Sequence, residues 1–440
     1  MNILYIHTHD TGRYIEPYGY AVPTPNLMKL AEDGTLFRQA YCAGPTCSPS
    51  RAAFLTGMVP HSCGMLGLAH RGFAIENYDK HMVRFLNSYD YETVLCGVQH
   101  EAEMDETIGY RKILHRTREE VAAEGKKPED WDLENAQKAS EYLLEKQEKP
   151  FFLSFGMFCT HRKFPEDNNV NSDYVMPPYP LADTLENRAD MAGFLAAAKI
   201  ADKCVGVVLE ALKRSGKEDD TLVIFTTDHG IAFPKMKCNL YDTGIGVSLI
   251  VKYKGNGMKG RALDALVSHL DIFPTICELL GLQKPEWLQG YSFLSMLERG
   301  SDGIREEIFS EVTYHAAYEP MRCIRTNRYK FIRSFDSYDR PLLSNIDDGL
   351  SKSFLMEHGL GELKKESEML FDLYHDPVER INLVGDEKYN EVYNKLSGRL
   401  SQWMKETQDP LLKGQAPLPK GARINPKESL SPIDTNIIHE

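Results

Sequence analysis

Three apolar runs of strand length, 2–8, 150–157 and 221–226, lead straight into polar residues: His9-Asp10, His161 and Asp228-His229. Amphipathic stretches at 133–146 and 189–213, with apolar positions at helical spacing, precede the second and third runs. A further helix opens at Thr24-Pro25-Asn26, runs through Ala31 and is stopped by Gly34. Near-continuous apolar strands alternating with such helices require a mostly parallel sheet covered on both faces. In a sheet of that kind the ligand lies beyond the carboxyl ends of the strands. The three polar groups, distant in sequence, are therefore expected on one rim.

Beyond about residue 300 the texture changes. Segments 307–312, 321–326 and 329–334 read as strands of an antiparallel sheet, and 389–404 as a closing amphipathic helix. The expected organisation is an α/β domain over 1–300, its large mostly parallel sheet sandwiched by helices, and a smaller α+β subdomain over 301–413. An extended tail follows over 414–440, marked by Pro417, Pro419, Pro426 and Pro432. A chain of 440 residues can bury its core without disulfides or structural metal. With 51 basic and 64 acidic residues its net charge is −13, which argues against nucleic-acid or anionic-membrane partners. An anionic small substrate would need a local basic pocket. No apolar run reaches the ~18–20 residues of a spanning helix. The opening Met1-Asn2-Ile3-Leu4-Tyr5-Ile6 lacks the features of a signal peptide, so the expected location is cytoplasmic. Nine cysteines without CxxC pairs read as reduced thiols, and no disulfide is expected between Cys42 and Cys63.

The most informative stretch is Cys47-Ser48-Pro49-Ser50-Arg51-Ala52-Ala53-Phe54-Leu55-Thr56-Gly57. Ser48 can cap a short helix, Pro49 suits its first turn and Gly57 its exit. Cys47 then lies at the positive end of the helix with Arg51 about one turn on, and both favour an anionic group there. An isolated cysteine would read better as a half-buried thiol before an ordinary helix. This string instead resembles the signature of the type I sulfatases, C-x-P-S-R-x-x-x-L-T-G, whose cysteine is oxidised after translation to formylglycine. Thr24-Pro25-Asn26-Leu27 with Gly34 to Phe37, the string from Thr221 to Gly230, and Leu370-Phe371-Asp372-Leu373 with Asp376-Pro377 resemble further family segments. Within the family the closest likeness is to the N-sulfoglucosamine sulfohydrolases, or sulfamidases. It rests on Gly64-Met65, Phe233-Pro234, Asn239-Leu240-Tyr241, Pro320-Met321-Arg322 and Asp409-Pro410.

The resemblance implies an alkaline-phosphatase-like fold and a hydrolase of a sulfate ester or sulfamate. Cys47, matured by a formylglycine-generating enzyme, is the implied nucleophile, attacking sulfur as an aldehyde hydrate and releasing sulfate on collapse. His9, Asp10, Asp228 and His229 are the implied ligands of one divalent metal. Arg51 is expected to hold the formylglycine hydroxyl and the anion, and Lys237 to bind sulfate. His100 is expected to assist hemiacetal collapse, and His161 to contact sulfate or protonate the leaving group. Arg162, beside His161, is placed to meet an anion. His315, Tyr318 and Arg322 fall in the second subdomain, where the family's specificity is expected, and are further substrate-binding candidates. His7 and His269 are read as structural.

The chain departs from the family in three places. His9-Asp10 replaces two adjacent aspartates, Asp228-His229 replaces Asp-Asn, and Val98 stands where a lysine is common. Two imidazoles soften the metal site, so manganese, zinc or iron compete with calcium, the family's usual ion. His229 also occurs in the related phosphonate monoester hydrolases. The alternative function is therefore a phosphonate monoester or phosphodiester hydrolase with the same nucleophile. A site lacking one lysine favours the lower charge of sulfate. The expected substrate is a small sulfated saccharide of N- or O-sulfated glucosamine type, and a homo-oligomer is compatible with the sequence.

Overall fold

In the computed structural model, which describes residues 1–166, 169–301, 303–435 and 437–439, the first apolar run becomes the pivot of a large sheet. Its strands are β1 (Asn2–Thr8), β2 (Thr35–Tyr41), β3 (Glu92–Gly97), β4 (Lys112–Ile113), β5 (Phe151–Gly156), β6 (Thr221–Thr227), β7 (Leu249–Lys252) and β8 (Arg261–Ser268). They lie in the order β4-β3-β5-β1-β6-β7-β2-β8. Only β7 runs against its neighbours β6 and β2, so the sheet is mostly parallel, as expected. Every residue of β1, β5 and β6 is buried. That explains why they read as continuous apolar runs rather than alternating ones.

Side chains along β1 leave alternately by the two faces. Leu4 and Ile6 join a core with Val94, Leu153 and Phe155 beneath two long helices, α3 (Pro128–Leu144) and α4 (Leu185–Arg214). Ile3 and Tyr5 join the opposite core with Phe152, Leu222, Ile224 and Phe54. Phe54 belongs to α2 (Cys47–Thr56), which lies on this second face after α1 (Pro25–Asp33). Helices α3 and α4 begin earlier than apolar periodicity suggests, at Pro128 and Leu185 rather than 133 and 189. The first turn of α3 is Pro128 and acidic residues, and that of α4 is capped by Thr184 through the Asn187 N–H.

A second, antiparallel sheet has the order β12-β11-β10-β9, with β9 (Glu307–Tyr314), β10 (Tyr318–Thr326), β11 (Tyr329–Ser334) and β12 (Glu368–Asp372). Helix α5 (Asn390–Glu406) covers it with Leu396, Leu400, Trp403 and Met404. The same apolar cluster takes in Ala52 and Ala53 of α2, so the second sheet backs directly onto the Cys47 helix. The tail forms a two-residue pairing of β13 (Arg423–Ile424) with β14 (Ile438–His439). No helix among the described residues is long and apolar enough to cross a membrane. All nine cysteines are buried and free.

Candidate active site

The parallel register sets Thr8 beside Thr227, so the residues that follow, His9-Asp10 and Asp228-His229, leave the sheet side by side. The Asp10 N–H donates to Asp228 Oδ1 (2.8 Å), and so does the His229 N–H (2.9 Å), which fixes that oxygen from the backbone of both strands' ends. Beyond β3, Gly97 adopts φ 89° because a Cβ there would fall 2.0 Å from the Gly156 carbonyl oxygen. Gln99 Oε1 then accepts from the N–H groups of His100, Glu101 and Ala102, turning His100 toward the rim. His161 follows β5, as expected, and Lys237 follows β6.

Cys47 opens α2 as its first helical residue, with Thr46 in the N-cap position. Ser48 is not the cap: it lies inside the helix, and its hydroxyl accepts from the Ala69 N–H (3.0 Å). Gly57 ends the helix in the left-handed conformation (φ 67°), as expected. Cys47 Sγ is 3.3 Å from His229 Nε2 and 3.9 Å from Asp10 Oδ1. Burial alone would push the thiol up, but Lys237, His229, His9 and His100 outweigh it and hold the thiol well below its ordinary range.

The four residues expected to hold a metal stand together. His9 Nδ1 is 3.0 Å from Asp228 Oδ2 and 3.4 Å from Asp10 Oδ1, and His229 Nε2 is 3.3 Å from Asp10 Oδ1. His229 Nδ1 faces the Gly230 carbonyl at 2.9 Å, so the hydrogen sits on that nitrogen and Nε2 is aimed at the carboxylates. Two sets of donor atoms within 4.8 Å of one another overlap at Asp10 and Cys47: one adds His9 and His161, the other Asp228 and His229. Burial opposes a proton on His229, yet Asp228 and Asp10 raise the imidazole to about 9. This concentration of negative charge suits a cation, and the donor set fits a divalent metal with mixed nitrogen and oxygen ligands.

Around this group lie the cations. Lys237 Nζ reaches Asp10 Oδ2 (2.8 Å), Asp347 Oδ2 (2.8 Å) and His161 Nε2 (3.2 Å), and the two carboxylates keep it protonated despite burial. His161 Nδ1 faces the Arg162 carbonyl at 2.5 Å, so Nε2 accepts from Lys237 and the ring is neutral; burial and Lys237 both lower its proton affinity. Arg51 is buried behind Asp228. Its Nη2 donates to Asp228 Oδ2 (3.0 Å) and the Thr8 carbonyl (3.1 Å), its Nη1 to His7 Nδ1 (2.5 Å), and Nε alone has no partner. His7, read as structural, is thus the support of Arg51 and passes on to Ser154 Oγ (3.2 Å). His269 is a core residue bonded to Thr226.

Three of the four substrate-binding candidates lie elsewhere. Arg162 forms a two-pronged pair with Asp190 (2.7 and 2.8 Å) and gives its Nε to the Ala232 carbonyl, so its charge and its fork are committed within the protein. Arg322 has no exposed surface; it is held by Asp409 (2.6 Å), Glu311 (3.2 Å) and the Val312 and Met321 carbonyls. The Tyr318 hydroxyl accepts from the Ala416 N–H (3.1 Å) and anchors the tail. His315 is buried in a loop that adjoins the segment carrying Asp347, since the Ala317 N–H donates to Asn345 Oδ1 (2.8 Å). Two site residues escaped sequence reasoning. His70 Nδ1 is 2.9 Å from His100 Nε2 with the rings stacked 5.2 Å apart, and Asp347 pairs with Lys237. His70 follows the signature closely enough to have been suspected; Asp347 carries no motif. A cavity of about 550 Å³ between Leu240, Met321 and Phe371 contains none of the rim side chains, so volume alone would misplace the site.

Comparison with known proteins follows this geometry. The chain is 28% identical to human N-sulphoglucosamine sulphohydrolase, over 89% of this chain and 87% of that one. It is 26% identical to an ulvan-active sulfatase of Formosa agariphila, over 96% of this chain and 77% of that one. Its fold matches the phosphonate monoester hydrolase of Agrobacterium radiobacter with TM-score 0.73 and 21% identity, covering 94% of this chain and 97% of the other. A protein solved in complex with its substrate D-glucosamine-2-N,6-O-disulfate matches with TM-score 0.70 and 17% identity, over 93% and 98%. The profile of the N-sulphoglucosamine sulphohydrolase C-terminal domain matches residues 230–348, and that of the sulfatase family matches residues 1–282. The chain therefore belongs to the type I sulfatases, sulfuric ester hydrolases of the alkaline-phosphatase-like superfamily.

Proposed function

We propose that this sulfatase acts on a saccharide of N- or O-sulfated glucosamine type, with Cys47 matured to formylglycine by a dedicated enzyme. The observation that carries this reading is the position of Cys47: first residue of a buried helix, 3.3 Å from His229 and 3.9 Å from Asp10. The human relative and the match over residues 230–348 support the glucosamine-type substrate. His9, Asp10, Asp228 and His229 would hold the metal, and the two imidazoles favour manganese, zinc or iron over calcium. Such an ion would lower the proton affinity of a nearby hydroxyl and neutralise sulfate oxygens. As an aldehyde hydrate, residue 47 would supply the attacking hydroxyl and a second one whose deprotonation expels sulfate.

The chain's own residues do the rest. Lys237, braced between Asp10 and Asp347, keeps a fixed positive charge beside the nucleophile, where the sulfate must sit. His161 orients that ammonium through its accepting Nε2. His100 can take a proton at the residue-47 side, its ring stacked on His70. Arg51 holds Asp228 in place, and its Nε–H is without a partner.

Matured enzyme should release sulfate from at least one defined N- or O-sulfated glucosamine disaccharide. The Cys47 peptide should show sulfur and two hydrogens replaced by one oxygen. Phosphonate monoester turnover exceeding every sulfate tested, or an unmodified Cys47 in protein from its native host, overturns the reading.

A further inference from the structure

The segment after residue 413 is a strap, and its anchors are unevenly distributed. Ala416 is gripped between two tyrosines: Tyr314 Oη donates to its carbonyl (2.9 Å), and its N–H donates to Tyr318 Oη (3.1 Å). Strand β13 then lies along residues 69–72. Arg423 Nη2 donates to the His70 carbonyl (2.6 Å), and Arg71 donates to Asn425 Oδ1 (2.8 Å) and the Pro432 carbonyl (2.6 Å). The approach leaves no room for a side chain, since a Cβ on Gly72 (φ +90°) would lie 2.9 Å from Ala422 Cα. The Asn425 N–H donates to the Ala316 carbonyl (2.7 Å). Further on, the Ser431 hydroxyl donates to the Asp348 carboxylate, and Lys352 Nζ links Asp348 (2.7 Å) to the Leu430 carbonyl (2.7 Å).

Each contacted segment carries a residue of the pocket wall at or beside the point of contact. His70 stacks on His100, His315 precedes Ala316, and Asp347 precedes Asp348 and pairs with Lys237. The three segments meet directly: the Ala317 N–H donates to Asn345 Oδ1 (2.8 Å) and Arg71 Nη1 reaches the Ala316 carbonyl (3.4 Å), while His315 is buried with no partner at Nδ1. They come from three separate loops with no common element of secondary structure. The strap ties them together a second time, beyond the direct bonds between them. Cys47 and the four expected metal ligands sit on α2 and the sheet rim, which the strap does not touch at these bonds.

We infer that residues 414–435 form part of the substrate-binding wall, fixing His70, His315 and Asp347 around the sulfated glucosamine unit and so setting the preference for a saccharide over a small sulfate ester. This rests on the saccharide-sulfatase reading above. A preorganised wall lowers the ordering cost of binding a large, polar substrate, whereas a small ester that needs only the anion site gains little from it. Arg423 and Asn425 are accordingly positioning residues that need never touch substrate.

The test compares full-length matured enzyme with its Arg423→Ala/Asn425→Ala double variant and with Arg423→Lys. The substrates are an N-sulfated glucosamine disaccharide and a nitrophenyl sulfate, and backbone hydrogen exchange is read in parallel. The double variant should raise KM for the disaccharide about tenfold or more with kcat little changed, and keep kcat/KM for nitrophenyl sulfate within about threefold. Arg423→Lys should recover most of the disaccharide KM. Exchange should rise over 69–72 and stay unchanged over 47–57. Equal losses on both substrates, or faster exchange with an unaltered disaccharide KM, overturn the inference. Wild-type enzyme that releases sulfate from neither substrate overturns the function proposed above instead. Exchange over 69–72 then decides the strap, an unchanged rate refuting it.

Discussion

Two buried clusters in this chain are built from nearly the same side chains. On the rim of the large sheet, Asp10, Asp228 and Asp347 face Arg51 and Lys237, with His9 and His229 among them. At the junction with the second sheet, Glu311 and Asp409 face Arg322, with His61 beside them. Before any histidine is protonated, carboxylates exceed cations by one in each. Both also meet the spacing of a metal site. The difference is where the arginine sits. Arg322 occupies the middle of its carboxylates and bonds both, while His61 Nδ1 closes on Glu311 at 2.5 Å, so the cluster satisfies itself. Arg51 stands behind Asp228 and bonds that carboxylate alone, while Asp10 Oδ1 faces imidazole nitrogens and the Cys47 sulfur with no fixed cation on it. Charge count and residue type do not separate a site from a rivet; the position of the fixed cation does.

The sharpest way to break this contrast is to empty each centre. Cys47→Ala should lower sulfate release by more than about 10⁴-fold, the scale on which loss of a covalent nucleophile is felt. It should leave thermal stability close to wild type, because the thiol supports no packing that alanine cannot. Sulfate assays and a melting curve check both halves, and measurable turnover by the variant would remove Cys47 from the chemistry.

Next in size come the matched carboxylates. Asp228→Asn should cost about 10²–10³ in kcat and lower the retained metal, read by elemental analysis. Asp409→Asn weakens the two-pronged bond to Arg322 and leaves Glu311 as its one carboxylate, and should cost about 1–3 kcal/mol of stability. The folded fraction should then turn over substrate at the wild-type rate. If Asp409→Asn instead lowered kcat without moving the denaturation midpoint, the junction would be part of the site.

That pair also marks what was legible in the sequence. The rim was legible because parallel strands deliver their next residues to one edge, so three apolar runs followed by His9-Asp10, His161 and Asp228-His229 already specify a common place. The Cys47 string located the helix that faces it. What could not be read is where an arginine spends its donors. Arg162 and Arg322 look like anion binders in sequence, and the partners that consume them, Asp190 and Asp409, lie 28 and 87 residues away. Asp347 was hidden for the converse reason: it reaches the site from a loop held by long-range contacts, with no motif or spacing to betray it, whereas His70 at least follows the signature in sequence. Strand β12 was missed because its first two residues, Glu368 and Met369, are half-exposed and its apolar run is short.

A buried carboxyl outside the two clusters sharpens the comparison, because one of its oxygens is left unbonded. Glu101 lies near Arg51, but its Oε2 has no partner, and burial raises the carboxyl from 4.5 to about 7. Between those values the unfolded chain has lost the proton that the native state keeps. The native state binds more protons there, so stability falls as pH rises from about 4.5 to about 7 and is level beyond. The full swing is at most about 3 kcal/mol. Glu101→Gln should erase that slope: close to wild type in stability at pH 4 and more stable at pH 8. Denaturant titrations at the two pH values decide it, and an unchanged slope would mean the carboxyl is paired in solution.

The smallest expected effect concerns Arg162, which sequence placed on the substrate and structure places on Asp190. A lysine there keeps the charge but loses the two-pronged geometry and the bond to the Ala232 carbonyl. Arg162→Lys should therefore lower stability by about 1–3 kcal/mol while KM for a sulfated disaccharide stays within about twofold of wild type. The loss should appear in stability because Asp190 also accepts from the Ser351 N–H, tying α4 to the segment that follows Asp347. Were Arg162 an anion ligand, the same substitution would raise KM about tenfold and leave the melting temperature unmoved, since the lost bond would then be to substrate. The two readings thus predict opposite entries in one pair of measurements, and the rule that a committed cation is a rivet stands or falls on which is found.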